Sequence, residues 1–420
     1  VTNPKAPQTV AALIDTADTA LEVDNLTLAE ACAQEILALE QGHGYGNAVM
    51  GHIAALIGRE VEAMRWRTKA DIAILNSFPT PSQAKTLELL NSMALPRHDE
   101  SFLLIRAWGM GLWSDMFHLL GGLLLAEITG RHPIVVWGPN SLFCPLGTEN
   151  AFPLYFRGIG NEHVPFLSTL PAEDVFPSKW HGQSVIGKHL DRRTPPHQGG
   201  EGKLGAIWLL NRPERLVVSD FFFGVHDLIP WIPADNEFHG QSLDAVIRAL
   251  TDRYLAPSWR IRDMINEQLE NLAGTETLAV HIRGSDKILE ISQLNDVNEH
   301  YDAVIAQAVN KNYSVWLMTD SVDISTSLVK KYGPAIHCLD AMRTATEVGV
   351  HVGADAQDRQ RLGEEVVADV LIGITCDRFV GNGASNPSCF IDFLMDGDET
   401  RKHLFLPNQN RRRILSLYRD

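Results

Sequence analysis

Leu278-Ala279-Val280-His281-Ile282-Arg283-Gly284-Ser285-Asp286-Lys287 runs from a short apolar stretch straight into a charged loop. An apolar run of this length, stopped by Gly and Asp, reads as a buried strand over Leu278–Ile282. In an open α/β sheet, ligands bind at the carboxyl ends of the strands. The residues after Ile282 therefore stand where a ligand is expected. Arg283 offers a planar, permanently charged donor fork, which suits a phosphate. A cation fixed at an oxygen that gains charge during a reaction stabilises the transition state more than the ground state.

Two later loops hold the same position after a strand. Thr319-Asp320-Ser321 follows Ser314–Met318, and Asp320 is either a ligand for a base or ribose edge or a cap for the helix that starts near Val322. Gly381-Asn382-Gly383-Ala384-Ser385-Asn386-Pro387-Ser388 joins the strand Arg378–Val380 to a helix over Asn386–Met395. A helix N-terminus presents free N–H groups and a positive dipole end to phosphate. Ser385 or Asn386 is also a good helix cap. The loop lacks the GK[ST] of a Walker motif.

Around these loops the pattern alternates. Helices are expected at Asn298–Val309, Asp323–Tyr332 and Arg361–Cys376, with short strands at Ala335–Cys338 and Leu404–Leu406. This alternation predicts an open parallel sheet. Leu243–Tyr254 and Pro257–Leu272 precede it as helices. Further upstream, Phe102–Ala107 is a strand, Gly109 and Gly111 make a glycine loop, Trp113–Thr129 is a long apolar helix, and Pro133–Trp137 is a strand: a βαβ crossover. Ser114 stands where a third glycine would complete a dinucleotide motif. Pro139–Gly205 reads as mostly loop, and strands are expected at Ala206–Leu210 and Arg215–Val218.

The N-terminal part reads as helices: Ala11–Val23, Leu28–Leu39, Gly46–Ile57 and Glu60–Leu75. Thr27 and Glu30 have the spacing of a capping box. Ala31 and Ala38 in the first pair match Ala63 and Ala70 in the second at an offset of 32 residues, near the ~34 of a tetratricopeptide unit. An ordinary helical bundle is the alternative.

The predicted class is therefore α/β, with two Rossmann-like domains after an all-α, helical-repeat-like segment. The expected boundaries are 1–97 (helical), 98–255 (first Rossmann-like domain) and 256–420 (second). A chain of 420 residues with 45% hydrophobic and 21% charged residues fits two or three such cores. The net charge of −16 opposes binding to nucleic acid or anionic lipid, while leaving room for a local basic pocket. Five scattered cysteines show no zinc or disulfide spacing. Val1–Pro7 lacks the parts of a signal peptide, and Leu119–Ile128 is too short to span a bilayer. A cytoplasmic protein without a membrane span is expected. Sixteen histidines form no HExxH or comparable cluster, and no metal is expected. Asp355-Ala356-Gln357-Asp358 and Asp396-Gly397-Asp398 read as solvated loops.

Taken in order, the loops resemble the α1,6-fucosyltransferases. "YLAPSWRIRDMINEQLENL" with "LAVHIRGSDK" is similar to that family's segment leading into its H-[VI]-R-R-x-D-K motif. "VWLMTDS" is similar to its second motif, and "ADVLIGITCDRFVGNGASNPSCFIDFL" to its third. "FLLIRAWGMGLWSDMFHLLGGLLLAEITGRHPIVVWGPNSLF" and "NAFPLYF" resemble the first-domain opening of the bacterial nodulation-factor members. The likeness runs in patches from Phe102 to Leu394.

The resemblance implies a GT-B glycosyltransferase in which Arg283 engages the donor diphosphate. Asp286 and Lys287 match the motif's closing pair, and Asp320 the second motif's first acidic residue. Asp369 and Ser385 match the donor-contacting Asp and Ser of the third motif, with Asn386 beside them. His281 supports the loop. The implied reaction is an inverting, metal-independent transfer needing no cofactor besides a nucleotide-sugar substrate, with GDP-fucose first among candidates. Its acceptor is a hydroxyl of a glycan or protein, and Glu290 or Asp286 is the base. Glu290 lies one position early against the family's Glu. The family's second Arg is Gly284 here, and the following acidic residue is Ser321. These departures leave open another nucleotide sugar, or an interaction protein on an inactive scaffold. The N-terminal helices are candidates for binding a protein partner.

Overall fold

The computed structural model describes residues 9–77, 100–182, 209–210, 212–219, 222–284, 293–346, 349–350, 358–396, 400–412 and 415–419. The chain is a mixed α/β protein with two parallel sheets and many helices.

It begins with two helix pairs, α1 (Val10–Glu22) with α2 (Leu26–Leu39), and α3 (Gly44–Leu56) with α4 (Glu60–Ser77). The second pair starts 34 residues after the first, at Gly44 against Val10 and at Glu60 against Leu26. Buried Ala29 and Ala63 stand at that same spacing. The offset of 32 residues expected from sequence is wrong, because it aligns exposed Ala31 and Ala38 with buried Ala63 and Ala70. The capping box is also wrong. Asn25 caps α2, its side chain accepting from Leu28 N–H at 3.1 Å, and Thr27 lies inside the helix.

The first sheet has the order β2-β1-β4-β3, built from β1 (Phe102–Arg106), β2 (His132–Val136), β3 (Val175–Phe176) and β4 (Leu216–Ser219). Helix α5 (Leu112–Thr129) makes the crossover between β1 and β2. All five residues of β1 are buried, which is why it shows no alternation in sequence. The strand expected at Ala206–Leu210 is not borne out where it is described: Leu209 and Leu210 are helical, and the rest lies outside the described residues.

Helices α6 (Leu243–Tyr254) and α7 (Trp259–Leu272) lead to the second sheet. It consists of β5 (Thr277–Ile282), β6 (Ser314–Thr319), β7 (Ile336–His337), β8 (Arg378–Gly381) and β9 (Lys402–Leu404). Between them run α8 (Gln293–Asn310), α9 (Val322–Tyr332), α10 (Arg359–Thr375) and α11 (Asn386–Leu394). All pairings are parallel, in the order β7-β6-β5-β8-β9. The order reverses between β5 and β8, so the connections that follow them leave to opposite faces of the sheet, and a crevice is left at their carboxyl ends. Residues of β5 alternate between two cores. Leu278, Val280 and Ile282 join Tyr301 and Ile305 of α8, and Ala279 joins Trp316, Phe379 and Cys389 on the other side. Near Pro257 the chain bridges back to Phe156, and Trp113 of α5 packs on Phe390 of α11 at 4.4 Å between ring centroids.

Candidate active site

The crevice at the reversal opens into a cleft of about 450 Å³. Its lining comes from the segments that follow strands of both sheets: Met110 to Ser114 and Phe143 beside the first, and His281, Arg283, Asp320, Asp369 of α10 and Ser385 to Pro387 at the start of α11 beside the second. The volume lies in the range of small-molecule sites.

Strand register brings two of these residues together. Ile282 pairs with Thr319, so the next residues, Arg283 and Asp320, leave the sheet side by side. Arg283 Nη1 lies 3.0 Å from Asp320 Oδ2. Gly284 N–H donates to Asp320 Oδ1 at 2.8 Å, and Asn298 Nδ2 donates to the Arg283 carbonyl at 2.9 Å. Asp320 thus fixes both the guanidinium and the loop that carries it. It does not cap α9, contrary to one of the two sequence alternatives. Ser321 does, accepting from Ile324 N–H at 3.3 Å.

Gly284 explains the missing second arginine. A Cβ at this position would stand 2.6 Å from both Ser321 Cβ and Ile324 Cδ1, so a side chain has no room. Arg283 is the one Lys or Arg among the described residues lining the cleft.

His281 is buried on the cleft side of β5, its Nδ1 2.7 Å from Ser388 Oγ. Burial, then the Arg283 charge, lowers its pKa to about 4. It is neutral at pH 7 and links β5 to the first turn of α11.

Asp369 sits in α10 with Oδ1 buried and without a hydrogen-bond partner. Burial raises its pKa to about 7, against the pull of Arg343. A buried acceptor that has no partner is costly unless a ligand satisfies it. Glu365, one turn earlier, is already used: Oε2 accepts from Met342 N–H at 2.9 Å and Oε1 from Arg361 Nε at 2.6 Å.

Ser385 is the N-cap residue of α11, with no side-chain cap bond, and lines the cleft. Asn386 beside it is held from outside. Its Oδ1 accepts from Gln409 Nε2 and Asn410 Nδ2, each at 2.9 Å.

In the first sheet, Gly111 lines the cleft and starts α5. Gly109 N–H donates to Asp115 Oδ1 at 2.9 Å and Met110 N–H to the same atom at 3.4 Å. The protein's own carboxylate occupies these two amides. Asp286, Lys287 and Glu290 lie outside the described residues. The sequence reading missed Asp115, the apolar lining of Trp113, Phe143, Met318 and Met342, and the support of Asn386 by Gln409 and Asn410. Among these, Asp115 was within reach, since an acid in the first turn of a helix after a glycine loop is a natural partner for the loop amides.

No protein-family model and no curated protein matches the chain. Among solved structures, it is similar to NodZ α-1,6-fucosyltransferase soaked with GDP-fucose, at 16% identity and a TM-score of 0.48, over 71% of this chain and 93% of that one. It is similar to a variant of Arabidopsis thaliana FUT1 in complex with GDP (12% identity, TM-score 0.42, 77% and 75% covered). It is similar to POFUT1 in complex with GDP (15% identity, TM-score 0.41, 74% and 99% covered).

Proposed function

We propose that this chain is a glycosyltransferase of the two-Rossmann-domain type whose donor is a nucleotide sugar, GDP-fucose. On this reading residues 98–255 form the acceptor-side domain and 256–420 the donor-side domain. Residues 1–97 form a tetratricopeptide-like segment, supported by the 34-residue spacing of its helices and of buried Ala29 and Ala63.

The observation that carries the reading is Arg283, held by Asp320 at the reversal of the strand order and facing the same cleft as the start of α11. A diphosphate placed there meets a fixed cation and the positive end of a helix dipole, in whose first turn Pro387 has no N–H to give and Ser385 N–H is bonded to the Asn382 carbonyl. Asp369 supplies the other end of the donor site. Two adjacent N–H donors, as on the edge of a guanine, satisfy a carboxylate that has an unused oxygen.

The proposed step is a single displacement. A base, Glu290 or Asp286, takes the proton of the acceptor hydroxyl. The oxygen attacks the anomeric carbon, and the bond to the diphosphate breaks with its electron pair going to the leaving oxygen. Arg283 stabilises that charge, with Lys287 as a second cation. The metal-independent, inverting course follows the resemblance of the motifs. One cation fewer beside the diphosphate, at Gly284, favours as second reading another nucleotide sugar on the same site.

The test is GDP release from GDP-fucose in the presence of glycan acceptors. Arg283→Ala is expected to lower the rate about 100-fold or more with the fold intact. Unchanged turnover in this variant would remove the donor-site assignment.

A further inference from the structure

The loop that follows β8 is tied to a distant part of the chain by a single segment. Phe405 N–H donates to the Gly381 carbonyl at 3.0 Å, and Gly383 N–H donates to the Leu406 carbonyl at 2.9 Å. Gln409 N–H then donates to the Gly383 carbonyl at 2.9 Å. A Cβ on Gly383 would stand 2.1 Å from the Pro407 carbonyl oxygen, so loop and segment are in direct backbone contact. Gln409 and Asn410 hold the Asn386 side chain, as described above. Asn408 Nδ2 and Arg411 Nε both donate to Asp392 Oδ2, each at 2.8 Å, which fixes the rest of α11.

Residues 415–419, further along the chain, lie in the helical layer. Leu415 and Tyr418 are buried there, and Tyr418 meets the Trp231 ring edge-on. Tyr418 OH donates to Asp71 Oδ1 of α4 at 2.9 Å. Arg419 pairs with Asp18 at 2.9 Å and Asp15 at 2.5 Å, both on α1, and Asp18 in turn accepts from Tyr45 OH of α3. Three of the four N-terminal helices therefore grip one end of a strap whose other end is bonded to the loop in the cleft.

We propose that residues 405–412 and 415–419 act together as a positioning strap. Through it the N-terminal helices, by way of Tyr418 and Arg419, hold the Gly381–Asn386 loop in the shape that receives the ligand's phosphates. The assignment of phosphates to this loop rests on the donor reading above; the mechanical link does not. Gln409 is the positioning residue at the cleft end and Arg419 the one at the helical end. Neither lines the cleft.

The test uses the whole 420-residue chain in four forms: wild type, Gln409→Ala, Arg419→Gln and the double variant. Amide hydrogen exchange is followed over residues 381–389, with β5 and β6 as internal references, and GDP affinity is measured in parallel. Each single variant is expected to speed exchange in the loop and weaken GDP binding about three- to tenfold, with the references unchanged. The double variant is expected to match the stronger single, because both cut one connection. Tyr418→Phe, which removes only a hydroxyl, is expected to act in the same direction if Arg419→Gln folds poorly. Loop exchange at the wild-type rate in Arg419→Gln and Tyr418→Phe, or additive effects in the double variant, would overturn the strap. Faster loop exchange in a protein that binds no nucleotide would keep the strap and remove the donor reading.

Discussion

Asp320 accepts from Gly284 N–H at 2.8 Å with one oxygen and pairs with Arg283 Nη1 at 3.0 Å with the other. One carboxylate just after β6 thereby sets both the aim of the cation and the path of the loop that follows β5. Asp320→Asn keeps an acceptor for the amide and loses the charge. The expected result is a fall in kcat of about tenfold or more with a Kd for the nucleotide changed less than about threefold, since orientation counts most in the transition state. Single-turnover kinetics and equilibrium binding on the same preparation check it.

Gly284 gives a prediction about stability. A side chain there meets Ser321 and Ile324 at 2.6 Å. Gly284→Ala is expected to cost about 1–3 kcal/mol in urea unfolding, the usual cost of overpacking. Gly284→Arg, although it adds a second cation, is expected to lose stability without gaining affinity for a diphosphate.

Asp369 predicts a pH dependence. Its pKa in the folded chain, about 7, lies above the unfolded value of 3.8. In the empty protein its contribution to stability is complete below pH 3.8 and is lost as the pH rises through 7. A ligand that donates N–H groups to the carboxylate has the opposite trend and binds more tightly as the pH rises through 7. The Kd for GDP between pH 5.5 and 8.5 is expected to fall more steeply for the wild type than for Asp369→Asn, which keeps only the change due to ionisation of the ligand's own terminal phosphate near pH ~6.

Asp71 predicts a separate pH effect in the helical layer. Burial raises its pKa to about 7, against Arg67 and the Tyr418 hydroxyl. Its ionisation costs stability as the pH rises from 3.8 to 7. Asp71→Asn is therefore expected to gain in melting temperature relative to the wild type as the pH goes from 5 to 8. An advantage independent of pH would count against this.

The carboxyl-end loops of the second sheet were legible because each apolar run is short and ends in Gly, Asp or Ser. The strands Leu278–Ile282 and Ser314–Met318 could be placed without any contact information, and the register of Ile282 with Thr319 then brings Arg283 to Asp320. The role of Asp320 was not legible. An Asp before a helix reads as a cap, and only the three-dimensional neighbour decides that Ser321 caps instead. The two-residue β3 carries no periodicity at all. Helix spacing in the N-terminal part misled by two residues because small exposed alanines look like small buried ones. The grip of Gln409 on Asn386 and of Arg419 on Asp18 is long-range pairing between polar residues, which leaves no local pattern.

The measurement that tests the central claim most directly is a thermal-shift titration of the full chain with GDP, UDP, dTDP and CDP. A ligand that binds only the folded state raises the melting temperature with its concentration. The expected result is a saturable rise with GDP, absent in Arg283→Ala and weakened in Asp369→Asn. A rise with another nucleotide alone would move the donor away from GDP-fucose, and no rise with any of the four would contradict a nucleotide-sugar site in this cleft.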